Sequence, residues 1–421
     1  MPPPLLRTIS AASLPSRRTR PVDRDTLTTT AAMLDRIESI GQPEVRALAE
    51  RFGDIASGQP LIHSPASLAA ARDRLPRDQR ELLERTAARI RAFALAQRAC
   101  ITDLSIPVPG GHTGHRLLPV DSAGCYAPGG RFPLPSSVLM TALTARAAGV
   151  PTVWVASPRP TDSTLAAASI AGADGLLAIG GVQAIAAMAL GLCGLPPCDT
   201  IVGPGNRWVT AAKFLLSDRV GIDMLAGPSE LLILADDTAD PGLVAADLLA
   251  QAEHDDDAIP MLVTTDPTLP RRVNAQLESQ LATLPTHATA RAALRNAYAI
   301  VASSLPEAIR LCDAIAPEHL EVITRDPSTV AHQLRHAGAV FIGPASAEVL
   351  GDYGAGPNHV LPTGGTARFR AGLSVLTFLR ARAWMRIDDP AASHTLVNDA
   401  AALARLESLE GHVRSATRRG S

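Results

Sequence analysis

Three groups of residues in this chain are of types, and at spacings, that can do chemistry. Gln251 and His254 lie three apart in LLAQAEH, so on a helix they share one face. Glu318 and His319, in IAPEHLEV, set a carboxylate beside an imidazole just after a proline. An imidazole has an unperturbed pKa of about 6.5, near working pH, which suits it to proton transfer. By spacing alone the pair also reads as two polar neighbours, and a lone histidine as an ordinary hydrogen-bonding residue. The third group is glycine-rich: Gly129-Gly130, Gly180-Gly181 and Gly203-Pro204-Gly205. Each opens an expected helix, where free backbone N–H groups can receive a pyrophosphate. Any α/β protein also favours glycine at such turns, and no G-x-G-x-x-G fingerprint is present.

The elements that must position these residues are legible around Gly227 to His254. Leu231 to Leu234 form an unbroken apolar run, as expected of a strand buried on both faces. Asp240-Pro241 is a helix start, with a carboxylate at the N-cap and proline at the first helical position. The helix is expected to bury Leu243, Val244, Leu248 and Leu249, with Gln251 and His254 near its end. Ser229 precedes the strand and joins them only if the fold returns it there.

Upstream, residues 24–100 read as helical: Asp25 to Gly41, Glu44 to Phe52, and one long stretch from Ser67 to Arg98. From Val120 strand-like runs alternate with Ala-rich helices, ending at TIVGPGN and a helix through Val209 to Leu216. A second series runs from Leu231 through MLVTT at 261–265 and AIVAS at 299–303 to AVFIG at 339–343. This alternation with short Gly turns predicts parallel sheet with helices on both faces. After Gly372 the sheet-like signal stops, and 373–421 read as helices.

A chain of 421 residues is long enough for several domains and a large core. With aromatics at 3%, that core must be built from Ala, Leu, Val and Ile. A net charge of −2 argues against nucleic acid or an acidic membrane as the main partner. No apolar run reaches the ~18 residues of a membrane span. The five cysteines are scattered, Cys193 and Cys198 lacking a second pair to complete a zinc knuckle, and read as incidental thiols of a reducing cytoplasm. The basic, Ser-rich residues 1–23 are expected to be a disordered extension.

The words GPSE and QAEH, with YAPGG, GGVQAIAA, GPGN, IAPEHLEV and GDYGAGPNHVLPT, make the chain resemble the histidinol dehydrogenase family, over residues from about 106 to 412. The resemblance implies an α/β fold of two incomplete Rossmann-like parallel-sheet units, with a helical N-terminal region (24–105) and a C-terminal helical tail. Residues 106–125 and 230–372 would form the substrate and metal unit, 126–229 the NAD unit, and 373–421 a tail exchanged between subunits of a homodimer. It implies NAD-dependent, four-electron oxidation of L-histidinol to L-histidine through L-histidinal, in the cytoplasm, with zinc holding the substrate. Gln251, His254, Asp352 and His412 match the zinc ligands; two imidazoles, a carboxylate and an amide oxygen suit zinc, with manganese or cobalt as alternatives. Tyr126, Gln183 and Asn206 match the NAD contacts. Glu318 would activate water and His319 would take the substrate's hydroxyl proton. Ser229, His359 and Glu407 match the remaining substrate contacts, beside Gln251, His254, His319, Asp352 and His412; Glu407 and His412 would act in the neighbouring subunit's site. The chain departs from the pattern at Glu407-Ser408-Leu409, where the family usually has Glu-Gly-Leu, and in FLRARAWMRI at 378–387. Two other readings remain open: a related dehydrogenase of another small polar alcohol, such as a sulfonated diol, and a non-catalytic metal- or nucleotide-binding relative.

Overall fold

A computed structural model describes residues 4–14, 21–129 and 132–419. Two six-stranded sheets dominate it. The central strands of both are fully buried runs, Ser122–Tyr126 in one and Glu230–Ala235 in the other, as the apolar patterning requires. Each buried Leu, Ile or Val of such a strand contributes on the order of 1.5–3 kcal/mol by leaving water.

The first sheet runs, edge to edge, Ile62–His63, Gly175–Leu177, Thr152–Ala156, Ser122–Tyr126, Thr200–Val202 and Gly221–Ile222. All its pairings are parallel except the Ile62–His63 edge. The chain leaves Ser122–Tyr126 in one direction for two strands and then crosses to its other side. That order puts a switch point, where α/β sheets bind nucleotides, at the carboxyl ends of Ser122–Tyr126 and Thr200–Val202.

The second sheet is wholly parallel: Arg7–Thr8, Tyr298–Val301, Ile259–Thr264, Glu230–Ala235, His319–Ile323 and Ala339–Ile342. Its strand His319–Ile323 is absent from the sequence reading, because HLEVI puts two polar residues in a five-residue run. The helix Pro241–Ala252 starts as expected: the Asp240 side chain accepts from the Gly242 N–H at 2.8 Å, and Val244, Leu248 and Leu249 are buried while Leu243 is partly so.

Four expectations are corrected. The segment 106–125 does not join the second sheet. Leu104–Val108 and Gly111–Pro119 form a separate antiparallel sheet with Leu379–Ile387, and Ser122–Tyr126 is central to the first sheet. The tail past 372 is therefore not helical throughout, since FLRARAWMRI supplies an edge strand. Its half-exposed residues lack the apolar run by which the buried strands are read. The long N-terminal helix is two, Pro65–Arg74 and Arg77–Ala99, because Pro76 disfavours helix at the residue before it and ends the first. Finally, part of the expected disordered extension is ordered. Leu6 is buried and exchanges two 2.9 Å hydrogen bonds with the Asn274 amide, while Arg7–Thr8 pair with Tyr298–Ala299. Residues 1–3 and 15–20 of that extension lie outside the described residues.

Candidate active site

His319 opens its strand, and register places it opposite Leu231, one residue past Glu230. The amino-terminal edge of the second sheet therefore gathers Ser229, Glu230, Glu318 and His319. The helix Pro241–Ala252 runs back along the sheet and delivers Gln251 and His254 to the same edge. The short helix Glu348–Asp352 closes the group.

The contacts are specific. His319 Nδ1 lies 3.1 Å from the Glu230 carbonyl oxygen, so Nδ1–H donates and Nε2 is the nitrogen left to exchange a proton with the site. Nε2 is buried without a hydrogen-bond partner, 3.6 Å from an Asp352 oxygen, an electrostatic contact rather than a hydrogen bond. Asp352's other oxygen is 3.8 Å from His254 Nε2. His359 Nδ1 meets the Asp352 carbonyl at 3.0 Å, and its Nε2 lies 3.3 Å from the Ser137 hydroxyl, which belongs to the helix following the first sheet's central strand. Glu318 accepts from the Glu230 N–H at 2.9 Å, and Glu230 accepts from Gly364 and Glu318 N–H groups.

Burial raises the carboxyls of Glu318 and Glu230 to about 7, their backbone hydrogen bonds opposing it in part. His319 departs from the sequence expectation of an ordinary imidazole. Burial alone would lower it, but the carboxylates of Glu348, Glu318 and Asp352 outweigh burial and raise it to about 10.

Donor atoms of His254, Glu348 and Asp352 all lie within 4.8 Å of one another. Both polar atoms of the Gln251 side chain are fully buried with no hydrogen-bond partner. A buried amide left unpaired costs about 1–3 kcal/mol. Nitrogen and carboxylate donors beside an orphaned amide oxygen fit a borderline divalent cation such as zinc. Sequence reasoning missed Glu348, although its spacing of four from Asp352 on one helix was the available signal.

Glu407 and His412 are not part of this group within one chain. They line a shared groove on the tail helices His394–Leu406 and Glu410–Thr417, which bury Ala401, Ala404 and Val413 together. Ser408, at the family's usual glycine position, takes φ 60°, a left-handed conformation costing a non-glycine residue roughly 1–2 kcal/mol.

The NAD-matching residues cluster at the carboxyl edge of the first sheet. The Tyr126 hydroxyl accepts from the Gly181 N–H at 3.3 Å, and burial pushes the phenol up to about 12, so it stays neutral. Gln183 donates to Asp54 at 3.0 Å, while its buried amide oxygen has no donor. Asn206 spends its oxygen capping the helix Arg207–Leu215. Gly203 is required where it stands: φ is +115°, and a Cβ there would meet the Tyr126 carbonyl oxygen at 2.0 Å. Asp54 and the buried Lys213–Asp223 ion pair, which holds both polar groups of the Gly203 backbone, were not singled out from sequence. Gly130 lies outside the described residues. The expected free N–H groups are not found at Gly180, Gly181 and Gly203, whose N–H groups donate to Asp54, Tyr126 and Asp223; an orphaned amide oxygen beside the switch point is what suits a dinucleotide.

Comparison with known proteins bears on this arrangement. The histidinol dehydrogenase family model matches residues 16–420. The chain is 42% identical to a histidinol dehydrogenase of Ruegeria pomeroyi, covering 97% of this chain and 95% of that protein. It is 44% identical to one of Thermus thermophilus, covering 90% and 92%. The crystal structure of histidinol dehydrogenase from Elizabethkingia anophelis matches with a TM-score of 0.92 at 29% identity, over 100% of this chain and 99% of that one. An acetylating aldehyde dehydrogenase from Geobacillus thermoglucosidasius, 15% identical with a TM-score of 0.51 over 86% and 96%, shares the fold alone. The chain belongs to the histidinol dehydrogenase family.

Proposed function

We propose that this chain oxidises L-histidinol to L-histidine by way of L-histidinal, passing two hydrides to two NAD molecules. The observation that carries the reading is the convergence of Glu318 and His319 with the His254, Asp352 and Glu348 donors at one sheet edge. Family membership adds the substrate. Gln251, His254 and Asp352, with His412 from a second subunit, would hold zinc, with manganese as an alternative. When bound, the cation supplies a Lewis-acid seat for the substrate's nitrogens and offsets the carboxylates around His319. His319 Nε2 takes the hydroxyl proton as hydride leaves for NAD. Glu318 then draws a proton from the water that adds to the aldehyde, and a second hydride leaves the hydrated carbon. Ser229 and His359 orient the substrate, and Glu407 faces its cationic end. Tyr126, Gln183 and Asn206 hold the dinucleotide against the first sheet.

NADH formation from L-histidinol, run beside a panel of other amino alcohols and sulfonated diols, tests this reading. L-histidinol should be preferred; a sulfonated diol as the better substrate would replace it. Chelation should abolish the activity, and added zinc or manganese should restore it. His254→Ala should weaken metal binding beyond the 10- to 100-fold that loss of an outer-shell partner costs. Full metal content after desalting would remove His254 from the ligand set.

The shared site has its own test. The tail exposes Leu403, Leu406 and Leu409, an apolar face suited to a second copy of the chain. Mixing inactive His319→Ala with inactive His412→Ala subunits should restore activity, since each heterodimer then holds one intact site. No recovery after proven subunit exchange would place His412 outside the neighbour's site.

A further inference from the structure

Behind the candidate cation site lie two buried acids with no role so far. Asp247 sits on the helix Pro241–Ala252, four residues before Gln251 and so on the same face. Glu321 sits on the strand His319–Ile323, two residues after His319 and so on the same side of the sheet. One Glu321 oxygen accepts the N–H of Glu348, the first residue of the helix that carries Asp352, at 2.7 Å. The other oxygen is buried and makes no hydrogen bond, and the Asp247 carboxyl is the neighbouring acid that acts on it. No lysine or arginine neutralises this pair among the described residues.

Asp247, Glu321 and Glu348 are 9%, 2% and 2% exposed. Burying the Asp247–Glu321 pair with no lysine or arginine beside it is unfavourable, and an apolar pair of similar volume would serve packing at least as well. Their position supplies a reason for them. The elements bearing Gln251 and His254, His319, and Glu348 and Asp352 are three separate pieces of chain, and this pair touches all three.

We propose that Asp247 and Glu321 form a positioning bracket that fixes these three elements relative to one another and so sets the spacing of the cation donors. The inference rests on the cation-site reading above and goes beyond it. The bracket touches neither substrate nor reacting atoms. It acts by holding the Glu348–Asp352 helix through its first N–H and the Gln251 helix through Asp247.

The test is metal affinity, measured by competition with a chelator of known strength on the folded, metal-stripped protein. Glu321→Leu fills the space but removes the acceptor of the Glu348 N–H and the polar contact with Asp247, and should weaken zinc binding by roughly 10- to 100-fold, as loss of outer-shell support does elsewhere. Glu321→Gln can still accept the Glu348 N–H and donate to Asp247, so it should bind zinc within about threefold of the unaltered chain. Asp247→Ala releases the bracket from the helix side alone and should also weaken binding, which keeps the test available if Glu321→Leu fails to fold. Circular dichroism and thermal melting establish folding in each case. Folded Glu321→Leu or Asp247→Ala protein with undiminished zinc affinity would overturn the proposal. So would Glu321→Gln binding as weakly as Glu321→Leu, which would mean that charge rather than position matters. If the unaltered chain binds no zinc, it is the cation-site reading that fails.

Discussion

His319→Asn should lower turnover by a factor on the order of 10² to 10⁴, the span expected on removing a positioned general base. The Glu230 carbonyl takes the Nδ1–H, leaving Nε2 as the basic atom, buried and without a hydrogen-bond partner. Asparagine can keep the bond to Glu230 but offers no nitrogen of useful basicity. Both hydride transfers need a proton removed from oxygen, so both should slow together. The backbone pairing of the strand is untouched, so thermal melting should stay near that of the unaltered chain. A folded variant that keeps turnover within about tenfold would move the base elsewhere.

Glu318→Gln should divide the two oxidations. The alcohol step needs a base and a hydride acceptor. The aldehyde step needs a water too, because hydride leaves only from the hydrated carbon. Glu318 is suited to that water: burial raises its carboxyl to about 7, near working pH, while the Glu230 N–H fixes its orientation at 2.9 Å. Glutamine preserves that hydrogen bond and removes the basic oxygen. In a single turnover with excess NAD, the variant should form roughly one NADH per site quickly and the second far more slowly. Two NADH at the normal rate, or a first phase blocked as fully as the second, would end the proposed division of labour with His319.

These expectations draw on different levels of legibility. The buried strand at Leu231, the Asp240 cap and the shared face of Gln251 and His254 follow from local rules, and a local rule needs no partner. Pro76 breaking a helix was equally local, yet the surrounding charge pattern hid it. The convergence of His254, His319 and Asp352 was not local. It depends on a parallel register between strands nearly ninety residues apart, which no period in the sequence encodes. The pairing of Leu379–Ile387 with Gly111–Pro119 spans still more chain, between half-exposed strands without a strong apolar run. Glu321 shows the limit most plainly. In HLEVI it reads as a polar residue weakening a strand, and only the folded chain shows it holding a neighbouring helix by its first N–H. Ser408 shows the reverse: the family pattern marked the position, and the backbone supplies the reason in its positive φ.

The central claim is that one site carries the alcohol through both oxidations. Limiting L-histidinol, incubated with excess NAD and zinc-loaded enzyme, measures it directly by the NADH formed and the products separated. The account predicts two NADH for each L-histidinol consumed, one L-histidine formed, and no free aldehyde trapped by an added carbonyl reagent. One NADH per L-histidinol with the aldehyde released, or no NADH at all, would contradict it.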